Sequence, residues 1–198
     1  MKQYTLSQVT EVALAFKNHE IIAIPTDTVY GVGVKYGDIN DLDALKHAKN
    51  RPETKPIPMM VCSVEQMEEV AFVNENVKKI AQAFLPGALT LVLKKKECVD
   101  DIYTNGMDTI AIRIPDVDFI LSLIKEIGSP ILVSSANQSG QKTAVTYEDV
   151  FEQLPNIDGI VIGKCDAGQA STIIDCTKEN VVVLRPGPIS LEQIQSVL

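Results

Sequence analysis

Five segments of the chain share one pattern, in which a hydrophobic run ends in small polar or basic residues with Gly or Pro. They are IIAIPTDTVYG, TIAIRIP, PILVSSANQSG, STIID and VVVLRPG. Ligands of sheet proteins bind where strand ends meet, because a rigid scaffold holds the loops there. Hydroxyl and amide groups at such ends suit a polar, anionic small molecule. For any one segment alone an ordinary turn is the simpler interpretation, since Ser, Thr and Asn before Gly are common turn formers.

One arginine and one basic stretch stand out in this acidic chain. Arg113 lies inside the apolar run TIAIRIP, and an arginine in such a strand needs an anionic partner. That partner is either a structural carboxylate or a ligand, and the sequence leaves both open. The basic stretch contains Lys46, Lys49, Arg51 and Lys55. It forms either a solvated surface or a clamp for phosphates, which Arg binds in a bidentate fashion and Lys as a point charge.

Common catalytic and cofactor motifs do not occur in the sequence. GIVIGK is followed by Cys165 and is not a phosphate-binding G-x-x-x-x-G-K-[ST] loop, and GVGVKYG does not have G-x-G-x-x-G spacing. Ser134 and Ser135 have no G-x-S-x-G context and no histidine placed as their base. The carboxylates that could help hold a metal, without a characteristic spacing, are Asp27, Asp166 and Asp175. We therefore identify no general base and expect no tightly bound metal site.

The composition predicts one domain spanning residues 1–198, large enough to bury roughly 70% of its unfolded surface. The formal net charge of −8 argues against a protein that grips nucleic acid along its length, because phosphate contacts need Lys and Arg. It leaves room for a local basic pocket.

The cysteines and the N-terminal segment indicate the cellular compartment in which the protein is expected. The four cysteines form no C-x-x-C pair and neither histidine lies near them, which predicts reduced thiols rather than a zinc site. The N-terminal segment lacks the apolar region of a signal peptide, and no apolar run approaches ~18 residues. We expect a soluble, cytoplasmic protein that makes no membrane contact.

Hydrophobic periodicity predicts helices and strands interspersed along the chain. Helices are expected to open at a capping box of Thr5 and Gln8, at Asp41, at Ser63, at Thr146 and at Ser190, with two more around Val77–Phe84 and in VDFILSLIKEIG. Strands are expected at IIAIP, IPMMV, ALTLVLK, TIAIRIP, PILVS, GIVIG, STIID and VVVLR. Several strands follow one another directly, so we expect an α/β fold with a mixed sheet and helices against it.

Six segments in one order carry a resemblance to a known family. PTDTVYG, KNRPETKP, TIAIRIP, SSANQSG, STIID and LRPG, together spanning about Ile21 to Gly187, resemble the YrdC/Sua5 family of threonylcarbamoyl-AMP synthases. Each segment alone is weak, whereas six in register are highly specific. The resemblance implies a twisted, single-domain YrdC-like α/β sheet whose concave face holds the substrates. It is a resemblance to the short form of the family, without the C-terminal extension of its longer members.

The reaction that this resemblance implies joins L-threonine, bicarbonate (or carbon dioxide) and ATP into L-threonylcarbamoyl-AMP and pyrophosphate. Threonylcarbamoyl-transfer proteins would then modify adenosine 37 of transfer RNA, to which the chain itself is expected to bind only weakly. Mg²⁺ is expected to accompany ATP, ligated mainly by the nucleotide and water.

The resemblance also implies roles for individual residues. Thr28, Arg113, Ser135 and Ser171 would bind L-threonine, with Arg113 on its carboxylate and Tyr30 as a wall of the pocket. The nucleotide would contact Lys49, Arg51, Lys55, Thr109, Asn137, Arg185 and either Thr143 or Thr146. The sequence departs from the family pattern at Thr54, where serine is frequent, and at Pro58-Met59-Met60, where some members have a histidine.

Two alternatives remain open at this point. One is an RNA-binding protein of the same fold without synthase activity, against which the net charge of −8 counts. The other is a carbamoyl-transfer activity like that of the similar domain in hydrogenase-maturation proteins. Those proteins usually carry zinc-finger and acylphosphatase modules, and neither is visible in this sequence.

Overall fold

The computed structural model describes residues 1–52, 55–165 and 168–198. Its strands are β1 (Lys2–Thr5), β2 (Ile22–Ile24), β3 (Gly31–Lys35), β4 (Met59–Met60), β5 (Leu89–Lys94), β6 (Thr109–Arg113), β7 (Ile131–Ser135), β8 (Gly159–Ile162), β9 (Thr172–Asp175) and β10 (Val182–Arg185). Its α-helices are α1 (Val9–Lys17), α2 (Ile39–Ala48), α3 (Val64–Val70), α4 (Glu75–Phe84), α5 (Asp118–Ile127), α6 (Tyr147–Gln153) and α7 (Leu191–Gln195).

The described strands form one mixed sheet in the order β1-β8-β2-β3-β7-β4-β6-β5-β9-β10. Four neighbouring pairs are parallel, namely β1 with β8, β8 with β2, β4 with β6, and β5 with β9. The other five are antiparallel. The short β4 therefore links the half of the sheet that contains β2, β3 and β7 to the half that contains β5, β6 and β9.

Side chains that alternate along each strand separate two hydrophobic clusters. On β2, Ala23 packs in one cluster with α2 and α4, whereas Ile22 and Ile24 pack in the other with α1 and α5. On β5 and β6, Leu91 and Ile112 belong to the first cluster. The residues between them on β5 and β6 face the opposite side, where α1 and α5 do not reach. That half of the sheet face is left open as a concave surface.

The predicted α/β class with a mixed sheet and flanking helices is confirmed. All eight predicted strands occur, and Ser63, Thr146 and Ser190 cap helices through bonds from the backbone amides of Gln66, Asp149 and Gln193. None of the helices in the described residues is long and apolar enough to cross a membrane.

Two helix starts were predicted wrongly. Thr5 ends strand β1, which pairs with β8, and α1 begins only at Val9; the Gln8 side chain still accepts the Thr5 amide at 2.9 Å. Helix α2 begins at Ile39 because Asp38, rather than Asp41, caps it by accepting the Asn40 amide at 2.8 Å. In both cases more than one polar residue near the start of the helix could act as its cap, and the sequence pattern favoured the wrong one.

Strand β3 was not predicted, because its glycines are typical of a loop. A Cβ atom at Gly33 would lie 2.5 Å from the Leu132 carbonyl oxygen of the paired strand β7. The glycine is there because the two backbones approach closely, not because the chain turns. The segment PTDTVYGVGV is therefore a short loop followed at once by a buried strand.

Candidate functional site

A cavity of about 500 Å³ lies on the open half of the sheet face. Its wall combines strand residues that face away from the core with the loop after β2 and the segment before β4. The residues with polar or charged side chains at this wall are Thr26, Thr28, Tyr30, Arg51, Thr90, Tyr103, Thr104, Thr109, Arg113, Ser134, Ser135, Ser171, Asp175 and Arg185. Val92, Ala111, Ile173 and Leu184 give the same wall an apolar stretch. The strand ends predicted from the sequence thus meet in one cavity.

Arg113 is the most constrained cation of the cavity. Its Nη2 donates to Asp27 Oδ1 at 2.7 Å, its Nη1 to Thr28 Oγ1 at 2.8 Å and its Nε to the Gly87 carbonyl at 3.0 Å. Burial lowers the pKa of Arg113, while the Asp27 charge opposes that change. The structure thus supplies a carboxylate partner and still leaves two of the five N–H groups for a ligand.

Two threonines of the loop after β2 support this arginine. Thr26 Oγ1 lies 2.9 Å from Thr28 Oγ1 and donates to the Val29 carbonyl at 2.8 Å. Thr28 is fully buried, so its hydroxyl is held between Thr26 and Arg113. The polar loop that follows a buried strand is ordered by its own side chains, which fix a hydroxyl and a guanidinium side by side.

A second group of polar residues forms around Ser171. Its hydroxyl lies 2.8 Å from Thr90 Oγ1 and accepts from Arg185 Nη2 at 3.1 Å. The Ser171 carbonyl accepts from Arg185 Nε and Nη2 at 3.0 and 2.8 Å. Burial, and then the positive charge of Arg113, lower the pKa of Arg185. Two guanidinium groups close enough to repel each other favour an anion between them.

Arg51 forms the third cationic part of the wall. Its Nη2 donates to the Pro56 carbonyl at 2.7 Å, its Nε to the Lys55 carbonyl at 2.9 Å and its Nη1 to Ser134 Oγ at 3.3 Å. Burial lowers the pKa of Arg51. The side chain of Lys55 is exposed beside it and is not among the residues that line the cavity.

Lys49 and Asn137 are placed differently from what the family resemblance implies. Neither is among the described residues that line the cavity. Lys49 is 1% exposed, and its amine donates to the backbone carbonyls of Ser135 and Asn137. The Asn137 amide nitrogen donates to the Gln138 and Gln141 carbonyls at 2.8 and 3.0 Å. Both side chains bind the backbone at the end of β7.

The remaining predicted residues divide into three groups. Thr109 and Tyr30 line the cavity, and the Tyr30 hydroxyl donates to the Gly163 carbonyl at 2.9 Å; burial raises the pKa of Tyr30 to about 12. Thr143 and Thr146 are not among the described residues of the cavity wall, and Thr146 caps α6. Thr54 and Asp166 lie outside the described residues.

Sequence reasoning did not assign a site role to Thr26 or Thr90 and considered Asp27 only as a metal ligand. The signal for Thr90 was available: it alternates with Leu89 and Leu91, which pack in the core, so it must face the opposite side of β5. Asp27 and Thr26 carried no comparable signal, because a loop has no fixed periodicity.

The two carboxylates near the cavity already have polar partners among the described residues. Asp27 pairs with Arg113, and Asp175 accepts from the Thr177 hydroxyl at 2.6 Å and lies 3.7 Å from Lys178 Nζ. A separate group of His19, Asp38 and Asp41 has ligand atoms within 4.8 Å of one another at the start of α2. These three residues are not among the described residues that line the cavity.

A family model and several curated proteins match this chain over most of its length. A family model for Sua5, YciO and YrdC proteins, described as "Telomere recombination", matches residues 15–187. A threonylcarbamoyl-AMP synthase of Bacillus subtilis is 35% identical over 96% of this chain and 56% of its own length. A putative threonylcarbamoyl-AMP synthase of Methanocaldococcus jannaschii is 34% identical over 89% of this chain and 84% of its own.

A solved structure of similar fold aligns with this chain over its full length. The crystal structure of P. abyssi Sua5 complexed with L-threonine superimposes with a TM-score of 0.93 at 35% identity. The alignment covers all of this chain and 60% of the P. abyssi chain. This chain thus spans between half and two thirds of the length of several of its relatives.

Proposed function

Because the chain belongs to the Sua5/YciO/YrdC family, we propose that it is a threonylcarbamoyl-AMP synthase, a nucleotidyltransferase that uses L-threonine, bicarbonate or carbon dioxide, and ATP. The names of its relatives and the L-threonine bound to P. abyssi Sua5 support this proposal. They also favour the synthase over an RNA-binding protein of the same fold. The transfer of the threonylcarbamoyl group to adenosine 37 of tRNA by partner proteins, in the cytoplasm, belongs to the same proposal.

One observation of the site supports it most directly: Arg51, Arg113 and Arg185 line the same cavity. The substrates are an amino acid with a carboxylate and a nucleotide with a triphosphate, so the site has to offset the repulsion between anions. Guanidinium groups that the fold already holds at the cavity wall do this without rearranging during the reaction.

The proposed chemistry needs no nucleophilic side chain. Addition of the neutral threonine amine to carbon dioxide, with loss of one proton to water, gives a carbamate. A carbamate oxygen attacks the α-phosphorus of ATP, forming the new P–O bond as the bond to pyrophosphate breaks. Because the carbamate is already anionic, positioning and charge neutralisation by the protein suffice.

The residues that line the cavity receive the following roles in the proposal. Arg113 would bind the threonine carboxylate through its two remaining N–H groups, with Thr28, Ser135 and Ser171 around the amino acid. Arg51, Arg185 and Thr109 would contact the nucleotide, and the exposed Lys55 would meet its outer phosphates. Mg²⁺ would enter on ATP as part of the substrate, because both carboxylates near the cavity already have partners.

The test is release of pyrophosphate from ATP by purified protein with magnesium and bicarbonate. We expect release that requires L-threonine, and a product that carries both the threonine label and AMP. Equal turnover of L-serine would contradict the amino-acid assignment. Binding of RNA that weakens steeply with salt, without any pyrophosphate release, would support the RNA-binding alternative instead.

A further inference from the structure

The basic segment at the end of α2 is bonded to the turn after β7 by several independent contacts. The Lys49 amine donates to the carbonyls of Ser135 and Asn137, the second at 2.6 Å. The Lys49 carbonyl accepts the Ser139 amide at 3.0 Å. Asn50 Nδ2 donates to Gln138 Oε1 at 2.7 Å. The two segments are more than eighty residues apart in the chain, so contacts in the folded protein, these among them, set their relative position.

This junction carries cavity residues on both of its sides. Ser134 and Ser135 end β7 and line the cavity, and Arg51 follows Lys49 by two residues and lines it as well. Arg51 Nη1 also donates to Ser134 Oγ at 3.3 Å. A shift of the junction would therefore move a guanidinium and two hydroxyl groups at the cavity wall together.

The surroundings of the Lys49 amine do not suit a phosphate ligand. The side chain is 1% exposed and is not among the described residues of the cavity wall. Two of its three N–H donors are already bound to neutral carbonyl oxygens. Burial, and then the nearby charge of Arg51, lower its pKa from 10.5 to about 7, so the amine carries a full charge less readily than an exposed lysine.

We infer that Lys49 is a positioning residue, which acts by fixing the turn after β7 against Arg51, and not a ligand of the triphosphate. Its amine donates to the Ser135 carbonyl, which also accepts the Asn137 amide at 2.9 Å, and to the Asn137 carbonyl, so one side chain holds both ends of this turn. The inference rests on the proposed function for its pyrophosphate-binding and kinetic readouts, but not for its exchange readout. Its binding and exchange readouts need no turnover.

The test compares Lys49→Met with Arg51→Met and with Lys125→Met, a matched change at an exposed lysine of α5. Because Arg51 keeps its own bonds to the Lys55 and Pro56 carbonyls, calorimetry with inorganic pyrophosphate should give Lys49→Met a dissociation constant within threefold of the wild type. Arg51→Met should weaken pyrophosphate at least tenfold. If Lys49→Met loses as much pyrophosphate affinity as Arg51→Met, Lys49 is a phosphate ligand and the inference is wrong.

Hydrogen exchange separates a positioning role from general support of the fold. In Lys49→Met the amides of Asn137 and Ser139 should exchange at least tenfold faster, with the amides of β2 and β8 unchanged, well below the unfolding temperature. The turnover number should fall at least tenfold at saturating substrates. Unchanged turn exchange with unchanged turnover, despite lower thermal stability, would leave Lys49 a merely structural residue and overturn the inference.

A second variant keeps the test decisive if Lys49→Met does not fold. Gln138→Ala removes the acceptor of Asn50 and the bond from Gln138 Nε2 to the Ala48 carbonyl at 3.2 Å. It should reproduce the faster exchange of the turn to a smaller extent, while pyrophosphate affinity stays within threefold. Gln138→Ala that leaves turn exchange unchanged would contradict the inference. Wild-type protein without pyrophosphate release would instead contradict the proposed function alone.

Discussion

Arg113 Nη2 lies 2.7 Å from Asp27 Oδ1, and the two side chains are only 7% and 11% exposed. Removal of one partner of a buried ion pair leaves the other charge without compensation, at a cost of about 3 kcal/mol or more. We expect Asp27→Ala to lower the free energy of unfolding by about this amount. Urea denaturation of Asp27→Ala, Arg113→Met and the double variant measures the coupling between the two residues.

The exposed ion pair of Asp175 and Lys178 serves as the control for this cycle. Its Lys178 side chain is 67% exposed, so Lys178→Ala should change the free energy of unfolding by less than about 1 kcal/mol. Strictly additive losses in the cycle of Asp27 and Arg113 would mean that their contact contributes nothing to the free energy of unfolding.

The sequence indicated the site better where strands supply it than where loops do. Arg113 was identified because a cation inside an apolar run needs an anionic partner, whereas Ser171 was assigned through the family resemblance; both line the cavity. The partner of Arg113 could not be chosen from the sequence. Asp27 lies eighty-six positions away, and only the pairing of distant strands brings the two together.

Lys49 is a residue whose burial the sequence did not predict. A lysine in a basic stretch predicts an exposed point charge for phosphates, and an adjacent exposed Lys55 has that character. Whether a long side chain points outward or reaches back to a neighbouring strand depends on which carbonyls the fold brings within its reach. The carbonyls of Ser135 and Asn137 come within reach of the Lys49 amine only in the folded protein. Strand β1 escaped detection for a similar reason, because its partner β8 is far away in the chain.

Replacement of Arg113 by alanine should act on the amino acid more than on the nucleotide. A charge-assisted hydrogen bond contributes about 1.5–3 kcal/mol, so L-threonine should bind roughly ten- to a hundredfold more weakly to Arg113→Ala. Isothermal calorimetry with L-threonine and with ATP measures both affinities. Arg185→Ala is the companion variant, expected to weaken ATP more than L-threonine. Unchanged L-threonine affinity in Arg113→Ala would remove this residue from the amino-acid site.

Gly187 packs directly against the backbone of Ser171 and Thr172, where there is no room for a Cβ atom. A Cβ atom at Gly187 would lie 2.3 Å from the Thr172 backbone nitrogen and 2.6 Å from the Ser171 carbonyl carbon. Backbone atoms cannot yield as a flexible side chain does, so Gly187→Ala must displace this segment and the bonds from Arg185 with it. We expect substrate affinity to fall at least several-fold, as measured by calorimetry with L-threonine and ATP.

Gly37→Ala provides the control for that change. Gly37 has a φ of +117°, so alanine there is strained, yet no atom lies within 4 Å of the added Cβ. It should lower the free energy of unfolding by about 1–3 kcal/mol without affecting either ligand. Equal ligand affinities in the Gly187 and Gly37 variants would show that the contact of Gly187 with Ser171 and Thr172 does not shape the cavity.

Lys49 should give stability a distinctive dependence on pH. Its pKa is lowered from 10.5 in the unfolded chain to about 7 in the folded protein, mainly by burial. Between these two values the unfolded chain binds more protons than the folded protein, so the free energy of unfolding rises with pH across this window. Below about pH 7 both states are protonated, and the contribution of Lys49 becomes constant and unfavourable.

Urea denaturation of wild type and Lys49→Met between pH 6 and 10 isolates this contribution, since other titrating groups are common to both proteins. The stability of the wild type relative to Lys49→Met should increase from pH 7 upward, and a difference that stays flat or decreases would mean that the folded protein keeps the amine charged.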